Sequence, residues 1–100
     1  MKLGILLNKD RHLEFLVGLA RAAIEKGHEV MVFAMDEGTR LLEEDEIVRL
    51  AALEEVSISY CSHSAKDYGI DSEAVAADIV CGSQLNNAMM HHEADKIIVL

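Results

Sequence analysis

The chain has no proline and no tryptophan, and only four of its hundred residues are aromatic. Core volume therefore has to come from Leu, Ile, Val, Ala and Met. No proline-rich linker, repeat or low-complexity tract interrupts the chain, and one hundred residues have the length of one domain, residues 1–100. No apolar run approaches the roughly 20 residues that a membrane-spanning helix needs. The opening "MKLGILLNKD" has too short an apolar run for a signal-peptide core, and no small-residue cleavage site follows. Basic residues are scarce as well. Nine Lys and Arg face eighteen Asp and Glu, a net charge of −9. Phosphate backbones and anionic membranes are bound by clustered Lys and Arg, so neither nucleic acid nor a membrane surface is an expected partner. There is no GxGxxG after the first apolar run, since "LLNKDRH" lacks glycine altogether, and no GxxxxGK[ST]. Dinucleotide and P-loop sites have no support. Cysteine is limited to Cys61 and Cys81, without a CxxC. In the cytosol, the expected compartment, both are free thiols rather than a structural disulfide.

What is present is apolar: 51% of the residues are hydrophobic. Lys2–Leu7, "KLGILL", reads as a buried strand. Asp10 is placed to cap a helix whose stripe is Leu13, Leu16, Val17, Ala20, Ala23 and Ile24, and Gly27 stops it. His28–Met35 is a second strand, completing a βαβ unit with a right-handed crossover. Thr39–Leu42 reads as a helical turn or loop. Asp45 caps a helix carrying Ile47, Leu50, Ala51 and Leu53, and the acidic run Glu43–Glu46 is its solvated start. Val56–Tyr60 is the third strand, Ser64–Tyr68 a short helix ended by Gly69, and Asp71–Ala77 a further turn. Ile79 and Val80 form a brief fourth strand. Leu85–His92 reads as a helix with Leu85, Ala88 and Met89 inward, and Lys96–Leu100 as a last buried strand. Apolar strands alternating with helices predict an α/β fold: an open parallel sheet with helices on both faces, a three-layer α/β/α arrangement.

In such sheets, ligands and reactive groups gather at the carboxyl ends of the strands. Cys61 falls there, directly after the third strand. Ser64 reads as the N-cap of the helix behind it, with Asp67 three residues on as a capping-box partner. Open amides at a helix start favour a thiolate, and a thiolate is the nucleophilic form of sulfur. His63 is near enough in sequence to add a hydrogen bond or positive charge. His12 opens the first helix at the same sheet edge and either lines a pocket or is a solvated surface residue. Cys81 precedes a helix and is either a small incidental residue or a thiol able to resolve a persulfide or pair with Cys61. Cys61, His63, Cys81, His91 and His92 are of zinc-ligand types, but their spacing fits no finger or ribbon, and no metal is expected. Met31, Met35, Met89 and Met90 read as core or interface filler.

The order Cys61, Ala65, Gly69, Ile70 after an apolar strand resembles the DsrE/DsrF/TusD-type family of small sulfur-relay proteins. "AAIEKGHEVMVF", "MDEGTRLL" and "CGSQLNNAMMHHEADKIIVL" are similar to that family's first βαβ unit, second strand exit and closing segment, so the likeness spans the chain. The resemblance implies a five-stranded, mostly parallel sheet, a homotrimer or homohexamer, and a cysteine that accepts sulfur as a persulfide and passes it on, here Cys61. It implies sulfur-donor and sulfur-acceptor proteins as partners and no cofactor. Two other readings remain beside it: a ligand-binding or structural oligomer in which Cys61 does no chemistry, and a Cys61/Cys81 redox sensor.

Overall fold

The computed structural model describes all 100 residues. Its elements are β1 (Lys2–Leu7), α1 (Leu13–Glu25), β2 (Glu29–Ala34), a 3-10 helix (Asp36–Leu41), α2 (Asp45–Ala51), β3 (Val56–Cys61), α3 (Ser62–Asp67), a 3-10 turn (Ser72–Ala74), β4 (Ile79–Gly82), α4 (Gln84–Glu93) and β5 (Lys96–Val99). The five strands make one sheet in the order β4-β3-β2-β1-β5, and every neighbouring pair is parallel.

This order explains the layers. From β1 through β4 the chain steps in one direction across the sheet. Right-handed crossovers then put every intervening helix on one face. The last step returns from β4 to the far edge, so α4 crosses the opposite face. The packing agrees. Leu16 and Ala20 of α1, Ile47 and Leu50 of α2, and Ala65 of α3 share one core with Ile5, Leu7, Val30, Val32 and Ile58 of the sheet. Alternate strand residues point the other way. Phe33 and Cys61 meet Met90 of α4 there, flanked by Leu6, Met31, Met35 and Ile97. The first core holds 18 buried residues and the second only three, so α4 alone leaves much of its face uncovered.

Several local expectations are corrected. Asp10 does not cap α1. His12 holds that position without a side-chain hydrogen bond, and Asp10 instead accepts from Arg40 at 3.0 Å. Arg40 also lies over the Tyr68 ring, 5.0 Å from its centroid. Its guanidinium hydrogen-bonds the Asp10 carboxyl and holds its pKa below the usual carboxylate value. Asp45 is the first residue of α2 and not its cap, which is Glu44. The turn after β2 starts at Asp36, earlier than Thr39, and Thr39 is buried with its hydroxyl donating to the Asp36 carbonyl at 2.8 Å.

The inward face of α4 is also not the expected one. Leu85 and Met89 are 67% and 50% exposed, Ala88 is exposed too, and Met90 is the buried residue. Helical periodicity locates an apolar stripe but not what covers it. Here the row that meets the sheet is Asn86 and Met90, four residues apart, while Leu85 and Met89 stay exposed, Met89 at the lip of the groove beside that row. Beside it the sheet is bare: Met31, Ser57, Ser59 and Val80 line an open groove against α4 of about 160 Å³.

Gly27 stops α1 as expected, with φ of +83°. Its amide bonds the Ile24 carbonyl at 2.9 Å and the next amide, of His28, bonds Ala23 at 3.0 Å. That pair of bonds is a Schellman closure.

Candidate functional site

Cys61 ends β3 on the α4 side of the sheet, in line with Ser57 and Ser59, while Tyr60 points to the α1 side. Its in-register neighbour on β4 is Gly82. After β3 the chain turns towards α3 on one face; after β4 it turns towards α4 on the other. Two adjacent strands whose connections diverge in this way leave a crevice between their carboxyl ends, the switch point at which open α/β sheets place ligands. Cys61 sits at that crevice.

The thiol is itself the cap of α3. Cys61 keeps an extended backbone (φ −79°, ψ 116°), and its Sγ accepts from the Ser64 amide at 3.5 Å. Ser64, expected as the cap, is the third residue of the helix, and it is buried. Cys61 is 6% exposed and stands at the carboxyl end of its strand. Burial pushes its pKa up. Hydrogen bonding from the Ser64 amide, the Ser64 hydroxyl, the Gln84 side chain and the His63 amide outweighs burial, so the thiol stays below its ordinary value. Every one of those donors is neutral. The thiolate form is favoured by dipoles, without a neighbouring cation.

The far end of α3 is closed as firmly. Gly69 has φ of +72°. Its amide bonds Lys66 at 3.2 Å, and the Ile70 amide bonds Ala65 at 2.8 Å. This is the Schellman pair again. Ala65 is fully buried and Ile70 packs against the same core. The spacing Cys61, Ala65, Gly69, Ile70 is thus the length of one short helix, with a cysteine cap at its start and a glycine stop at its end.

These residues carry the likeness to a known family, and the whole chain supports it. The profile of the DsrE/DsrF-like family matches residues 1–100. The chain belongs to the DsrE/DsrF-like family. Two solved structures share its fold. The ychN protein from E. coli superposes with a TM-score of 0.81 over 100% of both chains at 14% identity. A protein of unknown function, MTH1491 from Methanobacterium thermoautotrophicum, gives 0.79 at 15% identity, covering 99% of this chain and 98% of that one. No curated protein matches the sequence.

In this DsrE/DsrF-like chain the other expected site residues fall in different places. Cys81 is exposed and shares register with Tyr60, so it lies on the opposite face of the sheet from Cys61. The two sulfurs are not brought together. Cys81 instead neighbours the Tyr60 hydroxyl, whose pKa is raised by burial first and by that thiol second. His63 contributes its backbone amide only. Its ring is 84% exposed and meets Asp67 at 3.3 Å. Asp67 therefore pairs with His63 one turn away and not with the helix start. His12 stays at the start of α1, beside a shallow depression lined by Asp10, Arg11 and Phe15. His91 and His92 lie in the last turn of α4, where His91 Nδ1 is 2.9 Å from the Asn87 carbonyl oxygen. Nowhere do three His, Cys, Asp or Glu side chains converge as metal ligands.

Gln84 is the residue that sequence reasoning missed. It opens α4 behind a Ser83–Asn86 capping box, two residues after Gly82, the in-register neighbour of Cys61. The signal lay in topology. Once β4 is known to neighbour β3, the right-handed rule sends α4 to the opposite face, and its first residue then stands beside the end of β3.

Proposed function

We propose that this DsrE/DsrF-like chain is a carrier of sulfane sulfur, taken up as a persulfide on Cys61 and surrendered to an acceptor thiol. The observation that supports it most directly is the thiol at the switch point, ringed by neutral donors and held below its ordinary pKa. The Cys61 thiolate attacks the outer sulfur of a donor persulfide. A new S–S bond forms to Sγ, the donor's S–S bond breaks, and the donor leaves as a thiolate with that electron pair. An acceptor thiolate then attacks the same outer sulfur and releases the Cys61 thiolate. No net oxidation occurs, and no cofactor is required. Sulfur-donor and sulfur-acceptor proteins are the partners, and a reducing compartment such as the cytosol keeps the thiol free. No helix is long and apolar enough to cross a membrane.

The carrier works as a homo-oligomer, a trimer or hexamer, in this reading. The exposed Val80, Leu85 and Met89 beside the bare strip of sheet support it, since a small domain gains from covering such a surface. Sedimentation at micromolar concentration that found only the 11.0 kDa monomer would refute it.

The deciding experiment is intact mass after incubation with a polysulfide. A gain of one or more sulfur masses, removed by reductant and missing in Cys61→Ser, is the expected result. No adduct, with Cys61 resistant to alkylation in the folded protein, would point to a ligand-binding or structural role. A disulfide within one chain is not supported, because Cys61 and Cys81 face opposite sides of the sheet.

A further inference from the structure

A side-chain amide stands across the crevice from α3, beside the cluster that holds Cys61. Gln84 is the first residue of α4, and its side-chain nitrogen Nε2 donates to Met35 Sδ at 3.7 Å. Met35 packs against the cluster that holds Cys61, and Gly82, two residues before Gln84, is the in-register neighbour of Cys61, so the amide stands on the Cys61 side of the crevice; hydrogen bonding from it also favours the Cys61 anion. Its other end is tied. Gln84 Oε1 accepts from Asn87 Nδ2 at 3.2 Å, one turn along the helix. The chemistry of the partners fixes which way the amide points. A thioether and a thiolate can only accept, and the Asn87 amino group can only donate. Turning Gln84 over would set its oxygen against both sulfurs and its nitrogen against a donor. Asn87 commits its nitrogen to this bond while its own Oδ1 stays buried without a partner.

We propose that Gln84 grips the reacting sulfur and that Asn87 is the positioning residue that holds it donor-first. The role in transfer rests on the persulfide reading above; the donor geometry does not. After transfer, the new outer sulfur lies one bond beyond Sγ and carries the negative charge once its proton passes to water. A neutral N–H donor suits that anion as well as the thiolate it replaces. With the Ser64 and His63 amides on the α3 side and Gln84 on the α4 side, the sulfur is held from both walls of the switch point. No charged side chain acts on it, so the loss of one neutral donor is directly readable.

The test uses the full chain in a Cys81→Ser background, which leaves one thiol. Iodoacetamide alkylation is followed against pH for the parent, Gln84→Ala, Asn87→Asp and the double variant. A carboxylate at position 87 cannot donate, so Gln84 must turn its nitrogen towards it and present oxygen to the sulfur. Each single variant is expected to move the profile to higher pH and to slow alkylation at neutral pH by about threefold. In the double variant, Asn87→Asp is expected to lose most of its effect. An unmoved profile in Gln84→Ala overturns the grip. An Asn87→Asp effect undiminished without Gln84 is a plain charge effect and overturns the positioning role. Asn87→Ala, which removes the tie without adding charge, is expected to shift the profile in the same direction, and thermal melts confirm that each variant folds. Polysulfide loading of the parent is weighed in parallel. If the parent takes up no sulfur while the profiles shift as expected, the carrier reading fails and the thiolate grip stands.

Discussion

Ser64→Ala separates the chemistry of the site from its packing. The substitution removes one hydroxyl and keeps the Ser64 amide, whose bond to Sγ is 3.5 Å long. A hydrogen bond to a charged group contributes about 1.5–3 kcal/mol, and one to a large, diffuse sulfur belongs at the lower end. About 1.4 kcal/mol is tenfold in ionisation. The thiolate fraction below the midpoint is therefore expected to fall by about tenfold. The rate falls less, because a thiol that ionises less readily gives a better nucleophile, with a Brønsted slope of about 0.4–0.5. Alkylation on the acid side is then slower by about three- to fourfold, and the alkaline plateau is faster by about threefold. The two pH–rate curves cross. Iodoacetamide labelling followed by intact mass, in a Cys81→Ser background, measures both limbs. A variant slowed equally at every pH would mean that Ser64 only packs around the sulfur. An unchanged curve would mean that its hydroxyl does not reach the thiolate. Either result would refute the reasoning.

Two stability measurements test the same ionisations by linkage. The Cys61 pKa is lowered in the folded state, so the thiolate contributes stability that is present above the unfolded thiol value, about 8.5, and is lost as pH falls through the lowered one. Urea denaturation is expected to show the parent gaining on Cys61→Ser as pH rises across that window; a constant difference would contradict it. Tyr60 has the opposite sign, because its raised pKa favours the neutral phenol. Its contribution holds below about pH 10 and is lost as pH rises through the folded value, so the parent is expected to lose stability relative to Tyr60→Phe in alkali. Parallel curves for these two proteins would place the phenol in contact with water.

The strands were legible because a central parallel strand needs a near-continuous apolar run, which "KLGILL" supplies; "KIIVL" does form a strand, but at the sheet's edge with no buried residue, where a buried one was expected. Helix starts were read less well. Asp10, Asp45 and Ser64 are good capping residues by type, yet the chain turns at His12, Glu44 and Cys61. At Cys61 the cap is a thiol, which no propensity favours, so function and local preference part company there. For α4 the periodicity found Leu85 and Met89 but could not say that nothing in the chain covers them. Gln84 was invisible for another reason. It comes near Cys61 only because β4 lies beside β3, and strand order is not a local property.

One spacing joins the local and the distant signals, and a matched pair of glycines tests it. Gly27 and Gly69 close α1 and α3 with the same Schellman bonds, at φ of +83° and +72°, and neither has a neighbour within 4 Å of where a side chain would start. An alanine at either position therefore costs backbone strain alone, of about 1–2 kcal/mol. The consequences differ by what each helix holds. α1 carries thirteen residues, with Leu16, Ala20 and Ala23 buried, and it follows β1, two strands away from the β3 that carries the thiol. α3 has six residues, and its first amides are donors that favour the Cys61 thiolate. Loosening its last turn loosens its first. Gly69→Ala is expected to slow Cys61 alkylation at neutral pH by severalfold, while Gly27→Ala, at a similar stability cost in urea, leaves that rate unchanged. Equal effects of the two variants on the thiol would mean that overall stability governs reactivity. The Cys61–Gly69 interval would then be no more than a helix length, without consequence for the sulfur.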